Sequence, residues 1–98
     1  ILVVEDKGEL RQLVVSVLEG AGFTVLQAAD GQEGLERVQQ AGDALTLVLT
    51  DVVMPRMSGQ RLWASVRAEG RQVPFLFMSG YTEEAVPQPA AGGGPLLH

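Results

Sequence analysis

The sequence predicts an α/β fold, in which a doubly wound parallel sheet of five strands is covered by helices on both faces. Short apolar runs alternate along the chain with amphipathic stretches of helical length, which is typical of strands joined by right-handed helical crossovers. The 98 residues correspond to about one domain. The content of 46% hydrophobic and 19% charged residues is ordinary for a folded globular chain.

The first two strands are predicted on either side of an amphipathic helix. Residues 1–4 form an unbroken apolar run, as expected for a strand buried on both faces. Apolar residues then recur at helical spacing, and Gly20 and Gly22 mark the end of this helix. These apolar residues are Leu10, Leu13, Val14, Val17 and Leu18. The second strand is predicted over residues 23–27.

The second helix begins with a capping signal. Asp30 and Glu33 have the spacing of a capping box, and Gly42 is expected to end the helix. Its inward face is predicted to hold Leu35, Val38 and Ala41. The third strand is predicted over residues 45–50, which are again rich in apolar side chains.

The last predicted elements continue the alternation of helices and strands, which becomes less regular after the fourth strand. Ser58 is expected to cap a third helix that ends at Gly70. The apolar residues of this helix are Leu62, Trp63 and Val66. A fourth strand is predicted over residues 73–78. After it, residues 82–86 can begin a short helix, and residues 96–97 are assigned to a fifth strand.

Charge and composition exclude several classes of function. Twelve acidic and seven basic residues give a net charge of −5, so direct binding to nucleic acid or to an anionic membrane surface is not expected. The chain has no cysteine, which excludes disulfide scaffolds, thiolate metal sites and cysteine nucleophiles. No apolar run approaches the roughly 18 residues that span a membrane, and no signal peptide is visible. The expected location is therefore the cytoplasm.

Polar side chains follow three of the predicted strands, at the edge where open parallel sheets bind ligands. Glu5 and Asp6 follow the first strand, Asp51 the third and Ser79 the fourth. If the first and third strands are neighbours, the three carboxylates meet in one shallow pocket. Their mutual repulsion is relieved by a cation, and an all-oxygen ligand set suits Mg²⁺. A carboxylate there can act as a nucleophile and form an aspartyl-phosphate, with the serine hydroxyl donating to a phosphoryl oxygen.

Each of these residues also has a simpler structural explanation. Glu5 and Asp6 could stabilise the first turn of a helix through its dipole. Asp51 could be a solvated loop acid, and Ser79 could belong to a turn. Only the joint placement of these residues at the strand ends predicts a functional site.

Three segments give the chain a family resemblance. Residues 1–6, 49–59 and 74–80 resemble the receiver domain of two-component response regulators. The most specific motif is Asp-x-x-Met-Pro-x-Met-x-Gly, over residues 51–59. The resemblance covers essentially the whole chain, in order and with matching spacing. It implies a flavodoxin-like sheet and a receiver domain over residues 1–98.

The resemblance also implies roles for the residues at the strand ends. It makes Asp51 the phosphoacceptor and a ligand of Mg²⁺, with Asp6 as a second direct ligand. Glu5 would act through a water molecule, and the Val53 backbone carbonyl would be a further ligand. Ser79 would be the switch hydroxyl that moves toward the phosphoryl group.

The loop after the third predicted strand is expected to support this site. Pro55 fixes one backbone dihedral, and Gly59 allows either a close backbone approach or a conformation barred to other residues. Met54 and Met57 are interpreted as packing residues of the loop. Arg56 is interpreted as solvated, with steering of phosphate as the alternative.

The end of the chain departs from the family pattern. The family carries a phosphate-contacting lysine, expected directly after His98, and a last helix beyond it, so we expect a piece of a longer polypeptide with an incomplete receiver domain. Leu96 occupies the position of an aromatic switch residue. We expect the uncovered face to expose Leu2, Val4, Leu96 and Leu97 and to cause self-association of the truncated piece.

The predicted function is that of a phosphorylation-controlled switch. The domain would take a phosphoryl group from a histidine kinase or a phosphotransfer domain, and catalyse both its own phosphorylation and its dephosphorylation. Residues 80–84 resemble receivers fused to sensor kinases. One alternative is a pseudo-receiver that acts only as an interaction module. A phosphohydrolase of the haloacid-dehalogenase type is a weaker one, because its general acid would fall on Val53.

Overall fold

The computed structural model describes residues 1–78 and 96–97. The strands are β1 (Leu2–Val4), β2 (Leu26–Ala28), β3 (Val48–Asp51), β4 (Phe75–Met78) and β5 (Leu96–Leu97). The helices are α1 (Gly8–Gly20), α2 (Gly31–Ala41) and α3 (Gly59–Ala68), and a 3₁₀ turn covers Gly42–Ala44. All strand pairs are parallel, in the order β2-β1-β3-β4-β5. This is the doubly wound, flavodoxin-like order that was predicted.

The two faces of the sheet are covered by different helices. Leu2 and Val4 point to the face where α2 and α3 pack, and Val3 points to the face of α1. All three side chains are fully buried. The prediction that Leu2 and Val4 lie exposed is therefore wrong, because α2 and α3 cover them. The expected exposure of Leu96 and Leu97 falls on side chains outside the described part of the structure.

Helix α1 turns a different side toward the sheet than its apolar spacing suggests. Val15, which was not in the predicted set, is the buried residue of this helix, and it packs with Val3 and Leu49. Leu13 and Val17 are 61% and 64% exposed, and Leu10 is also exposed. Val14 and Leu18 pack against the edge of the cluster.

The predicted caps of α2 and α3 are confirmed. Asp30 Oδ1 accepts a hydrogen bond from the Glu33 N–H at 2.8 Å, and the Glu33 carboxylate accepts from the Ala29 N–H at 2.9 Å. The second bond reaches one residue earlier than a standard capping box requires. Ser58 Oγ accepts from the Arg61 N–H at 3.1 Å.

The strands are shorter than predicted at their amino ends. Strand β2 begins three residues late, because the chain leaves α1 through Gly22 at a positive φ and Phe23 remains exposed. Strand β3 also begins three residues late, because the 3₁₀ turn comes between α2 and the strand. None of the described helices combines the length and the apolar composition that a membrane-spanning helix requires.

Candidate functional site

The pairing of β1 with β3 brings the predicted acidic residues together. Val4 lies opposite Thr50 in the parallel register, so Glu5 and Asp51 follow at the same edge of the sheet. From β1 the chain crosses to β2 on one side, and then to β3 on the other. This reversal opens a crevice at the carboxyl ends of β1 and β3, where doubly wound sheets bind their ligands.

Three carboxylates share this crevice. One ligand oxygen each of Glu5, Asp6 and Asp51 lies within 4.8 Å of the others. Glu5 and Asp51 are buried, at 0% and 3% exposed, whereas Asp6 is exposed. The cluster therefore runs from the interior to the surface, and Asp6 marks its solvent side.

The pKa of Glu5 is raised by its position in the cluster. Burial raises the pKa of its carboxyl group to about 7, and Asp6 and Asp51 add to this rise, against a hydrogen bond from the Lys7 N–H that lowers it. That N–H donates to Glu5 Oε2 at 3.0 Å, whereas Oε1 is buried without a hydrogen-bond partner. A buried oxygen without a donor, in a set of oxygen ligands only, fits a hard cation such as Mg²⁺.

Asp51 is held in place by the backbone around it. Its Oδ1 accepts a hydrogen bond from the Val52 N–H at 2.7 Å, which orients the carboxylate. The Thr50 hydroxyl donates to the Asp51 carbonyl oxygen at 2.9 Å. The carboxylate is therefore oriented before any ligand arrives, which favours a nucleophile or a metal ligand over a freely moving loop acid.

The loop from residue 52 to residue 58 packs closely beneath the site. A Cβ atom added at Gly59 would lie 2.1 Å from the Asp51 carbonyl oxygen, so this glycine makes a close backbone approach and not an unusual turn. Met54 is buried in the core, and the Pro55 carbonyl oxygen accepts from the Met57 N–H at 2.7 Å. Val53 is 49% exposed, and the role of its carbonyl as a ligand stays a prediction.

Two arginines near the crevice make contacts that the sequence did not predict. Arg11 donates to the Glu5 carbonyl oxygen at 2.7 Å and to the Gln27 side chain at 3.3 Å, so it ties the end of β1 to β2. The Arg56 side chain is 64% exposed, as its interpretation as a solvated residue requires, and it also forms an ion pair with Asp30. No local pattern in the sequence signals either contact. The predicted switch residue Ser79 lies outside the described residues.

Comparison with known proteins is consistent with this geometry. The family model described as "Response regulator receiver domain" matches residues 1–94. The sensor kinase CckA of Brucella abortus (strain 2308) is 40% identical over 85 residues, which cover 87% of this chain and 9% of the kinase. The response regulator receiver protein CpdR of the same organism is 33% identical, over 88% of this chain and 70% of that protein. The chain thus spans only a small part of the kinase.

Solved structures agree in fold. The receiver domain of the hybrid histidine kinase CckA superposes with a TM-score of 0.80 and 31% identity, over 98% of this chain and 81% of that one. The chemotaxis protein CheY4 of Vibrio cholerae gives a TM-score of 0.83 and 31% identity, over 99% and 82% of the two chains. The sheet order, the acidic crevice and the family match point the same way, and the chain belongs to the family of response regulator receiver domains.

Proposed function

We propose that this domain accepts a phosphoryl group on Asp51 in a two-component system, with Mg²⁺ held in the acidic crevice. The observation that carries the proposal is the meeting of three carboxylates within 4.8 Å at the crevice between β1 and β3. Asp51 is the buried and oriented member of this set at the end of β3, and the donor of the group is a phosphohistidine on a histidine kinase or a phosphotransfer domain. The cytoplasmic location expected from the sequence stays a prediction.

The reaction exchanges one bond to phosphorus for another. A carboxylate oxygen of Asp51 forms a bond to phosphorus while the phosphorus–nitrogen bond of the donor breaks, and the electron pair leaves with the imidazole nitrogen. The Val52 N–H already fixes one carboxylate oxygen, so the orientation of the nucleophile costs little at the moment of transfer. In this proposal, Ser79 supplies the hydroxyl that binds the new phosphoryl group.

The metal is assigned to residues already close together. Asp6 and Asp51 would bind it directly, Glu5 through a water molecule, and the Val53 carbonyl would complete the protein ligands. When bound, Mg²⁺ offsets the negative charge of the carboxylates and of the phosphoryl oxygens. The unpartnered Glu5 Oε1 is the feature of the crevice that supports this assignment.

The relatives suggest where such a domain acts. The 40% identity to a sensor kinase supports a place within a hybrid histidine kinase, where the domain would receive its phosphoryl group from the kinase core or pass it to a phosphotransfer domain. A kinase core encoded before residue 1 would support this placement. A helix-turn-helix domain encoded after residue 98 would contradict it.

The proposal is tested by incubating the protein with acetyl phosphate and Mg²⁺ and following its intact mass. The wild-type protein should gain one phosphoryl group, and the gain should disappear with EDTA and in Asp51→Asn. Asp43→Asn is the matched control, because Asp43 is an exposed acid in the 3₁₀ turn away from the crevice. A gain that persists in Asp51→Asn, or a wild-type protein that gains nothing, contradicts the proposal. The second result favours a pseudo-receiver.

Millimolar Mg²⁺ is also expected to raise the melting temperature of the protein. A cation that binds only the folded state stabilises it by about 1.4 kcal/mol at ten times its Kd, which corresponds to several degrees for a domain of this size. Asp6→Asn should reduce the shift strongly, whereas Asp43→Asn should leave it unchanged. Equal shifts in the wild-type protein and in Asp6→Asn would show that the cation binds elsewhere.

A further inference from the structure

The loop of residues 52–58 is fastened to the start of α2 by two contacts. The Arg56 guanidinium donates from Nε and Nη2 to Asp30 Oδ2, at 2.8 and 2.5 Å. Beside this ion pair, the Gly31 N–H donates to the Met57 carbonyl oxygen at 3.1 Å. A distant part of the chain therefore constrains the middle of the loop.

Asp30 is the fixed end of the ion pair. Its Oδ1 caps α2 through the Glu33 N–H, which leaves Oδ2 for Arg56. Burial alone would raise the pKa of Asp30, but the Glu33 N–H and the Arg56 guanidinium outweigh burial and hold that pKa below its ordinary value of 3.8. The Asp30 side chain is only 12% exposed and that of Arg56 is 64% exposed, so Asp30 is the more enclosed partner of the ion pair.

Arg56 holds a backbone conformation that other contacts must maintain. Among the described residues it is the only non-glycine residue with a positive φ, at 64°. It lies at the centre of a three-residue turn, closed by the Met57 N–H donating to the Pro55 carbonyl oxygen at 2.7 Å. Such turns are rare and strained for residues with a Cβ atom, and they persist where neighbouring contacts hold them.

The ends of the same loop are attached to the phosphoacceptor. The Val52 N–H donates to Asp51 Oδ1, and the Val52 carbonyl oxygen accepts from the Gly59 N–H at 2.9 Å. The ends are thus tied to β3 and α3, and the middle is tied to α2. Loss of the Arg56 contact would leave the middle of the loop held to α2 by the Gly31–Met57 hydrogen bond, while the ends of the loop stay attached.

We propose that Arg56 and Asp30 are a positioning pair, which holds the 52–58 loop in the conformation that phosphoryl transfer to Asp51 requires. The inference rests on the proposed function. Arg56 acts through the loop and does not need to touch the phosphoryl group. The competing explanation is that the Arg56 charge attracts the anionic donor from solution.

Three variants separate positioning from attraction when phosphorylation by acetyl phosphate and Mg²⁺ is timed by intact mass. Arg56→Ala removes the ion pair and keeps a Cβ atom at the positive φ, so phosphorylation should slow by about three- to tenfold. Arg56→Gly also removes the pair, but glycine accepts the positive φ, so it should be faster than Arg56→Ala. Asp30→Asn keeps the Arg56 charge and a capping oxygen, and it should also be slow.

The attraction of a donor predicts a different order. Arg56→Ala and Arg56→Gly would then be equally slow, and Asp30→Asn would be as fast as the wild-type protein or faster. That order overturns the inference. Rates of all variants equal to the wild-type rate also overturn it, while phosphorylation on Asp51 and the proposed function stand. A wild-type protein that gains no phosphoryl group overturns both.

Amide hydrogen exchange gives a readout that does not depend on phosphorylation. The Met57 and Gly31 amides should exchange faster in Arg56→Ala than in the wild-type protein, because both bonds belong to the fastened loop. The Glu33 amide should remain protected, because Asp30 still caps α2. Unchanged exchange at Met57 and Gly31 would show that the ion pair does not hold the loop, and would overturn the inference.

Discussion

Substitution of Gly59 by alanine is expected to lower the free energy of unfolding by about 3 kcal/mol or more. The new Cβ atom would lie 2.1 Å from the Asp51 carbonyl oxygen and 3.1 Å from Thr50 Oγ1. Both neighbours belong to the central strand β3, and a backbone oxygen cannot move aside as a flexible side chain does. A domain of this size has a total stability of about 5–15 kcal/mol, so the loss is a large fraction of it.

The close contact and helix propensity predict opposite signs for the effect of Gly59→Ala on the free energy of unfolding. Gly59 is the first residue of α3, and helix propensity alone predicts that alanine there is stabilising by up to about 1 kcal/mol. Gly20→Ala is the matched control, because Gly20 is also helical and has nothing within 4 Å of an added Cβ atom. Urea denaturation should show a loss in Gly59→Ala and none in Gly20→Ala. Equal stability of Gly59→Ala and wild type would contradict the close approach to Asp51.

Without a divalent cation, the free energy of unfolding is expected to fall as the pH rises from about 4.5 to about 7. The pKa of Glu5 is about 7 in the folded protein, against an ordinary value of 4.5. Between these two pH values, the Glu5 carboxyl group is protonated in the folded state and ionised in the unfolded state. Unfolding therefore releases a proton, and a rise in pH favours the unfolded state. One pKa unit corresponds to about 1.4 kcal/mol, and the full change is therefore up to about 3 kcal/mol.

Glu5→Gln should flatten this pH dependence, because the amide does not titrate. Glu36→Gln is the control, because Glu36 lies exposed on α2, and it should keep the slope. The pKa of Asp30 is lowered, so its contribution to stability is complete above its unfolded value of 3.8 and does not enter this window. Urea midpoints measured in EDTA between pH 4.5 and 7.5 give the slope. A slope that survives in Glu5→Gln assigns the proton to another group.

The sheet and its acidic crevice could be predicted from the sequence because both depend on local patterns. Apolar runs of strand length recur between helical stretches, and parallel strands end at one edge, so Glu5 and Asp51 had to meet once β1 and β3 were neighbours. That β1 and β3 are neighbours was assumed and was not deduced from residues 1–51. It follows from the strand order, which the family resemblance implied and the packed structure shows.

The orientation of α1 could not be predicted from spacing. Its apolar residues cover more than half of the helix circumference, which is wider than the strip that the sheet covers. Spacing alone therefore does not decide which part of the apolar arc faces inward. The structure turns Val15 to the sheet and leaves Leu13 and Val17 in solvent, at the other end of the arc.

The contact of Arg56 with Asp30 lies beyond sequence reasoning for a different reason. The two residues are 26 positions apart, and a crossover helix separates them. The sequence correctly assigned Asp30 as a cap, but a cap uses only one carboxylate oxygen. Whether Asp30 Oδ2 finds a partner depends on how closely the loop approaches α2. The absence of a side chain at Gly31 permits this close approach.

The position of β1 inside the sheet, between β2 and β3, has a kinetic consequence. Both neighbours of β1 come later in the chain, and its edge toward β3 stays open until residues 48–51 are made. The pairing that closes this edge also brings Glu5 and Asp51 together. Repulsion between like charges thus accompanies a long-range strand pairing, and we therefore expect protons and cations to change the folding rate of the domain as well as its equilibrium stability.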